Sequence, residues 1–226
     1  MRAASYNIRK AVGLDMRRDP MRVLDIINGL DADVVALQEA DKRLGPRPGV
    51  LNPRAIERES DFRLVPLGQN DVSHGWHGNA VLLRKDIELG GVDHIDLPGF
   101  EPRGAVAVDV VKNGRHVKLV GTHLGLLRAS RRKQLETICS YLGDEGAARA
   151  MIVGDFNEWS ESRGLEALAA FKVVSPGKSF HAARLLAGLD RLALGSALDF
   201  YDAGVEQGPQ AKVASDHLPV WADIDF

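Results

Sequence analysis

The chain has 226 residues, of which 45% are hydrophobic and 27% charged, and its formal net charge is −2. This length fits one domain, expected over residues 1–226, and the near-neutral charge excludes a surface devoted wholly to nucleic-acid binding, though not a small basic groove. The single Cys139 excludes an internal disulfide or a cysteine-built metal cluster. With no signal-peptide apolar region and no run long enough for a membrane span, we expect a cytoplasmic protein.

Short apolar segments predict β-strands along the whole chain. They are Arg2–Asn7, Val34–Gln38 and residues 80–83, 105–111, 117–122, 151–155 and 218–224. Asn113-Gly114 separates two of these segments and predicts a hairpin turn.

Helical patterns lie between the strands. Asp19-Pro20 predicts an N-cap and first turn, and Ser130 predicts the cap of a second helix. The apolar faces of these helices are Val23, Ile26, Ile27 and Leu30, and Leu135, Ile138, Cys139 and Leu142. A third, shorter helix is expected over residues 162–171. Alternating strands and helices with a hairpin favour an α/β fold of two mixed β-sheets, packed as a sandwich and flanked by helices.

Polar residues stand at the ends of the predicted strands, where α/β proteins gather their sites. They are Asn7, Glu39, Asn79, Arg103, His123, Asp155, Asn157, Asp190, Asp216 and His217. Carboxylates and amides without cysteine suit a hard ion such as Mg²⁺ or Mn²⁺. Histidine, arginine and asparagine beside such an ion suit a phosphate ester.

Each position also has an ordinary structural interpretation. Glu39 can cap a helix, Asn7 and Asp155 can be turn residues, His123 can be a satisfied core histidine, and Asp190 can pair with Arg191. These interpretations would have to hold independently, whereas the residues form one chemically coherent set. The set therefore favours a site.

Six segments resemble the signature blocks of the endonuclease/exonuclease/phosphatase superfamily, in the order of that family and from residue 5 to 220. They surround Asn7, Gln38-Glu39, Thr122-His123, Gly154-Asp155-Phe156-Asn157, Asp190-Arg191 and Ser215-Asp216-His217. The superfamily includes DNase I, AP endonucleases, neutral sphingomyelinases and inositol polyphosphate 5-phosphatases. The local sequences around Asn79, His123 and Trp159 are similar to those of its compact bacterial YbhP-like branch. The resemblance implies a four-layer, DNase I-like fold.

The resemblance also implies roles for the metal and the attacking water. Glu39 is the expected principal ligand of Mg²⁺ or Mn²⁺, helped by Asn7 and Asp216. Asp155 is expected to orient and deprotonate the water, with Asn157 placing the water or holding phosphate.

For the phosphate, the resemblance assigns His217 to its non-bridging oxygens and Asp190 to fixing the tautomer of His217. His123, with Glu101 as its carboxylate partner, is expected to protonate the leaving oxygen. The remaining members of the set, Asn79 and Arg103, are expected to grip phosphate.

Two departures separate the chain from the AP endonucleases. Arg9 stands where they carry an acid, exchanging a metal-side group for a phosphate contact, and His123 occupies a position where they lack histidine. Both departures favour the DNase, sphingomyelinase or phosphatase side of the superfamily. The chain is short for a sphingomyelinase or a phosphoinositide phosphatase.

Two further groups bear on the substrate. The cations Arg128, Arg131, Arg132 and Lys133 form either an anion-binding rim or a solvated face. The aromatic residues Trp76, Phe156 and Trp159 either stack on a base, line a lipid groove or pack in the core.

The expected function is hydrolysis of a phosphate ester by a metal-dependent phosphodiesterase or nuclease, without a covalent enzyme intermediate. A phospholipid-headgroup or inositol-phosphate hydrolase is the alternative enzyme. A binding module that has lost catalysis is the alternative class.

Overall fold

The computed structural model describes residues 1–161 and 163–226. Its frame is two six-stranded mixed β-sheets. The strands of the first sheet are β1 (Arg2–Asn7), β2 (Val34–Gln38), β3 (Phe62–Leu64), β4 (Ala80–Arg84), β11 (Asp199–Val205) and β12 (Val220–Asp225). Those of the second are β5 (Glu88–Leu97), β6 (Arg103–Lys112), β7 (Arg115–His123), β8 (Ala150–Asp155), β9 (Lys172–Val174) and β10 (Asp190–Leu194).

Each sheet contains one parallel pair among antiparallel neighbours. The order β11-β12-β1-β2-β4-β3 has its parallel pair at β1 and β2, and the order β5-β6-β7-β8-β10-β9 has it at β7 and β8. The predicted mixed sheets are confirmed. The Asn113-Gly114 hairpin is also confirmed, because Lys112 pairs with Arg115 and both turn residues have positive φ angles.

The helices are α1 (Pro20–Gly29), α2 (Pro53–Glu59), α3 (Arg128–Ala148) and α4 (Ala211–Ala214). Asp19 caps α1 as predicted, since its side chain accepts a hydrogen bond from the Arg22 amide at 3.0 Å. The prediction for α3 was wrong: the helix begins before Ser130, at Arg128, and no side chain caps it.

The helix predicted over residues 162–171 was also wrong for most of its length. In the described part of that range the only helical element is a 3₁₀ turn at Glu166–Leu168, and β9 begins directly after the range, at Lys172. Ser162, its predicted first residue, lies outside the described residues.

Three apolar clusters account for a four-layer arrangement. Val34 and Ala36 meet Leu119 and Val153 between the two sheets. The outer face of the first sheet packs against α1, and that of the second against α3 with the face Leu135, Ile138 and Leu142. The sandwich flanked by helices is therefore confirmed, and half-buried Cys139 packs against the α3 cluster. In the described chain, no helix is both long and apolar enough to cross a bilayer.

Candidate active site

The site lies at one edge of the sandwich, where strand ends from both sheets meet. In the first sheet, Asn7 at the end of β1 pairs with Gln38 at the end of β2. Glu39, the next residue after Gln38, therefore lies at the same edge as Asn7. In the second, His123 pairs with Asp155 and Asp155 with Asp190, across the adjacent strands β7, β8 and β10. The sheet registers alone therefore bring these five residues to a common edge.

Asp155 is the centre of this edge. Its Oδ2 atom accepts a hydrogen bond from Asn7 Nδ2 at 3.0 Å, which joins the two sheets. The same oxygen lies 3.3 Å from His123 Nε2 and 3.6 Å from His217 Nε2. Its other oxygen accepts the Asn157 amide at 2.9 Å. The carboxylate is 1% exposed, so this burial is compensated by a full set of polar partners.

Gly154 explains how Asp155 reaches this position. The φ angle of Gly154 is 155°, and a Cβ atom there would lie 1.9 Å from the Thr122 carbonyl oxygen. No side chain fits at that distance. Gly154 thus allows the backbone of β8 to approach that of β7 closely at this point, which places Asp155 beside His123.

His217 is held from the opposite side by Asp190. Its Nδ1 atom lies 2.8 Å from Asp190 Oδ2, and that oxygen also accepts the Ser179 hydroxyl at 2.6 Å. Asp190 and Ser179 are fully buried. The two alternatives considered for Asp190 are thereby resolved, because its partner is His217, whereas Arg191 hydrogen-bonds backbone carbonyls of Gly188, Glu158 and Ser160.

The two imidazoles differ in protonation. Burial lowers the pKa of His123 to about 3, against a smaller opposing effect of Asp155. Burial also lowers the pKa of His217, but Asp190 and Asp155 outweigh it and raise the pKa to about 10. At neutral pH His217 is therefore the imidazole that carries a positive charge.

The remaining acids lie beside the segment after β1. Glu39 pairs with Lys10, and Asp216 Oδ2 lies 3.6 Å from Arg9 Nε. The Asn7 side-chain oxygen accepts the Arg9 amide at 3.1 Å, and the Ser215 hydroxyl donates to the Asn7 carbonyl at 2.7 Å. Both carboxylates are partly exposed and each has a cation beside it, so the charges of this part of the edge are balanced and open to solvent.

Two sets of residues have donors that a metal ion could use. Atoms of Asp155, Asp190 and His217 lie within 4.8 Å of one another. A ligating imidazole must be unprotonated, however, and the raised pKa of His217 opposes this. Glu39 and Asp216 offer carboxylate oxygens, and Asn7 an amide oxygen that now accepts the Arg9 amide; by their chemistry these oxygens fit a hard divalent ion.

Several predicted contacts differ in the structure. Glu101 does not contact His123 as predicted: it accepts Arg103 Nη2 at 2.8 Å and the Leu126 amide at 2.9 Å, while His123 faces Asp155. Arg103 nevertheless stays close enough to His123 to lower its pKa.

Asn79 was predicted to grip phosphate, but its side-chain amide already donates to the carbonyls of Gly104 at 2.8 Å and Trp76 at 3.1 Å. The bond to Gly104 joins the two sheets and the bond to Trp76 closes the local turn, so both side-chain N–H groups are already used. The Asn157 side chain donates to the Leu124 carbonyl at 2.9 Å, a single bond where Asn79 donates two.

Three of the four cations in the basic cluster after His123 already have carboxylate partners, which argues against an anion-binding rim at these three positions. Arg128 and Arg131 both bind the buried Glu158 at 2.7 Å, and Arg132 pairs with Glu166 at 3.0 Å. Arg131 is itself 4% exposed, so the solvated-face alternative fails for it as well. This network anchors the loop after β8.

The aromatic residues divide into two groups. Phe156 is fully buried and Trp76 packs against the inter-sheet core. Trp159 is 59% exposed, and its ring meets Phe180 edge-on at 6.0 Å between centroids. Phe180 in turn lies 4.9 Å from the His217 ring. An aromatic surface therefore leads from solvent to His217.

Sequence reasoning missed three residues of this edge. Ser179, Phe180 and Lys10 contact Asp190, His217 and Glu39. Ser179 and Phe180 follow no apolar strand in the sequence, so only the fold brings them here. Lys10 had a signal, since it lies three residues after Asn7 in a basic pair.

Comparison with known proteins agrees with this arrangement. The sequence pattern of the endonuclease/exonuclease/phosphatase family matches residues 4–217, and the chain belongs to that family. Its two six-stranded sheets form the DNase I-like sandwich.

Individual relatives are more distant. YbhP of Escherichia coli K12, described as uncharacterized, is 26% identical over 97% of this chain and 94% of its own length. Danio rerio TDP2 complexed with a single-strand DNA product is 17% identical, with a TM-score of 0.73 over 100% of this chain and 99% of that one. The mannosyl-6-phosphatase Bt3783 of Bacteroides thetaiotaomicron is 16% identical, with a TM-score of 0.77 over 100% of both chains.

Proposed function

We propose that the protein is a divalent-metal-dependent phosphoesterase that hydrolyses a phosphodiester, as a nuclease does, through attack of an activated water. The observation that supports this most directly is Asp155, an acid held within 3.6 Å of two imidazoles of opposite protonation. Water activation and stabilisation of phosphate charge need such an acid beside such a cation.

The metal is proposed to be Mg²⁺ or Mn²⁺, held by Glu39, Asp216 and Asn7. When bound, the ion would polarise the phosphate and neutralise charge on its oxygens. Lys10 and Arg9, which now pair with Glu39 and Asp216, supply positive charge at the same position.

The side chains divide the proton chemistry. Asp155 would orient the attacking water and accept its proton, and the His217 imidazolium would stabilise the non-bridging oxygens. Asp190 is a positioning residue, because its contact with Nδ1 leaves Nε2 of His217 directed toward Asp155. With a pKa near 3, His123 is a poor source of the leaving-group proton, so we now assign it to orienting Asp155 and give the proton-donating capacity to His217.

Trp159 favours a substrate that carries a ring beside the scissile phosphate. An exposed indole stacks on nucleobases with little sequence preference. This favours a nucleic acid over the alternative phospholipid-headgroup or inositol-phosphate substrates. TDP2, with its single-strand DNA product, and the mannosyl-6-phosphatase share the fold, but at their low identity they leave this choice to experiment.

The test is hydrolysis of bis-p-nitrophenyl phosphate and of single-stranded DNA with Mn²⁺. We expect turnover that EDTA abolishes, and loss of turnover in Asp155→Asn and His217→Ala. EDTA-resistant hydrolysis would contradict the metal assignment. Absence of turnover on both compounds and on phospholipid and inositol-phosphate substrates would favour the binding module.

A further inference from the structure

A second cationic position adjoins the proposed reaction centre. A cleft with about 550 Å³ of empty space opens beside Glu39 and His123. Its charged lining consists of four cations, Lys10, Arg43, Arg47 and Arg103, and three carboxylates, Glu39, Asp41 and Glu101. The cations therefore outnumber the anions before any metal ion is counted.

The carboxylates of the cleft are already engaged. Glu39 pairs with Lys10, and Glu101 binds Arg103 and the Leu126 amide. Asp41 is 3% exposed and accepts the His74 amide at 2.8 Å. None of the three thus offers its full charge to a further cation.

Arg47 forms no ion pair or hydrogen bond with a carboxylate within the described part of the chain, although Asp41 is close enough to interact with its charge. Its Nη1 atom donates to Nδ1 of His77 at 3.2 Å, and its buried Nε atom has no hydrogen-bond partner among the described residues. His77 is neutral at neutral pH, because burial and the Arg47 charge lower its pKa. Because its ring partner is neutral, the Arg47 guanidinium keeps its positive charge. Its N–H groups that do not contact the ring can donate to an anion.

The Arg47 guanidinium lies close to the reaction centre. Trp76 and Asn79 exchange two backbone hydrogen bonds of 2.9 Å, which makes His77-Gly78 the tip of a tight turn. A Cβ atom on Gly78 would lie 3.6 Å from Cα of Glu39 and 4.0 Å from Nη2 of Arg47. Gly78 therefore separates the guanidinium from the expected metal ligand by one residue's width.

We propose that Arg47, assisted by the exposed Arg43, forms a subsite for a second phosphate group of the substrate, next to the phosphate that is cleaved. The inference rests on the proposed function for the location of the reaction centre. The binding of phosphate by Arg47 does not depend on that function. The second phosphate belongs either to the neighbouring nucleotide of a strand or to a small bisphosphate. Both present an oxyanion that a planar guanidinium binds in two-pronged fashion.

The first experiment compares substrates with one and with two phosphates. Arg47→Gln should raise KM for a 5′-phosphorylated oligothymidylate or for a sugar bisphosphate by about tenfold more than for bis-p-nitrophenyl phosphate, as expected for one lost charge-assisted hydrogen bond. A selective effect on the oligonucleotide identifies a strand, and one on the bisphosphate identifies a small molecule. Equal KM changes on all three substrates would overturn the subsite.

The second experiment does not depend on turnover. Pyrophosphate in EDTA should raise the melting temperature of the wild type and of Arg58→Gln, which removes the same charge from α2. It should raise that of Arg47→Gln much less, and Arg47→Lys should fall between them because it keeps the charge but not the fork. An equal shift in Arg47→Gln and wild type would refute the subsite. If no phosphate ester is hydrolysed, this measurement still decides the subsite while the proposed function fails.

Discussion

Asp190 and His217 are joined through a single carboxylate oxygen: Oδ2 of Asp190 lies 2.8 Å from Nδ1 of His217 and accepts Ser179 at the same time. The second oxygen, Oδ1, is buried without a hydrogen-bond partner among the described residues. A buried carboxylate with an unsatisfied oxygen is costly unless a nearby charge compensates it. The protonated imidazole supplies that charge, so the two residues form one electrostatic unit.

Replacement of Asp190 should therefore damage catalysis more than folding. For Asp190→Asn we expect kcat on bis-p-nitrophenyl phosphate to fall by about 10³–10⁴-fold, the range seen when an orienting acid is lost from a histidine. Asp202→Asn, an exposed change in β11, is the matched control. A kcat within threefold of the wild type would remove Asp190 from the mechanism.

The charge of His217 also makes a pH-dependent contribution to stability. Its pKa is raised from 6.5 to about 10, so the contribution is complete below pH 6.5 and is lost as the pH rises through 10. Urea denaturation in EDTA should show the free energy of unfolding falling across this interval. In Asp190→Asn the fall should be shallower, since a main source of the raised pKa is gone. If the free energy of unfolding fell equally with pH in the wild type and in Asp190→Asn, the raised pKa of His217 could not be assigned to its contact with Asp190.

Glu158 should control stability rather than the chemical step. It is fully buried between Arg128 and Arg131, and although burial opposes ionisation, these partners lower its pKa from 4.5 to about 2. Glu158→Gln leaves two guanidinium groups uncompensated, one of them buried, and should cost about 3 kcal/mol or more in the free energy of unfolding.

Glu166→Gln provides the contrast, because the pair of Glu166 with Arg132 is exposed and screened by solvent and should change the free energy of unfolding little. Glu158 stabilises the wild type above pH 4.5, and its contribution is lost as the pH falls toward 2. The Glu158→Gln variant should lack this part of the acid transition. Chemical denaturation from pH 3 to 7 measures both effects.

Trp159 should contribute to affinity for a nucleobase. Trp159→Ala is expected to weaken binding of an oligothymidylate by about 1–3 kcal/mol, the stacking of one base. Binding of an abasic strand of the same length should change little. Fluorescence anisotropy in EDTA gives both affinities, with Tyr201→Ala as the control at another exposed aromatic residue. A uniform loss on both strands would mean that the ring has no stacking role.

Lys10 should compete with the metal ion for Glu39. Removal of its ammonium group in Lys10→Met is expected to tighten Mn²⁺ binding by about tenfold, because an ion pair of this kind must be broken before the metal binds. Glu39→Gln should weaken binding. Isothermal titration calorimetry with Mn²⁺ alone reports both, and unchanged affinity in both variants would move the metal site elsewhere.

The interior of the fold was largely predictable from sequence, but its edges were not. The strands β1 and β2 begin and end as predicted, because nearly all of their side chains are buried on both faces. In contrast, β5 was missed although it has ten residues, since most of its side chains are exposed and a register shift interrupts it between Leu89 and Val92. An edge strand without alternation carries no periodic signal.

Which residues meet at this edge was largely predictable from the sequence. Which of them contact one another was less predictable. The residues around Asp155 follow buried strands, so sequence indicated them. Their partners depend on side-chain distances, which is why Glu101 was assigned to His123 although it binds Arg103. The Arg131 contact with Glu158 was hidden for the same reason, because two charges far apart in sequence become buried together.

The pairing of His123 with Asp155 and of Asp155 with Asp190 puts three acting residues on one transverse row of the second sheet. Backbone ladders, not loops, hold that row in place. The segments around Arg47 and around Phe180, which are proposed to face the substrate, lie outside the row. Their length and sequence can therefore change while the strand pairing keeps the spacing of His123, Asp155 and Asp190.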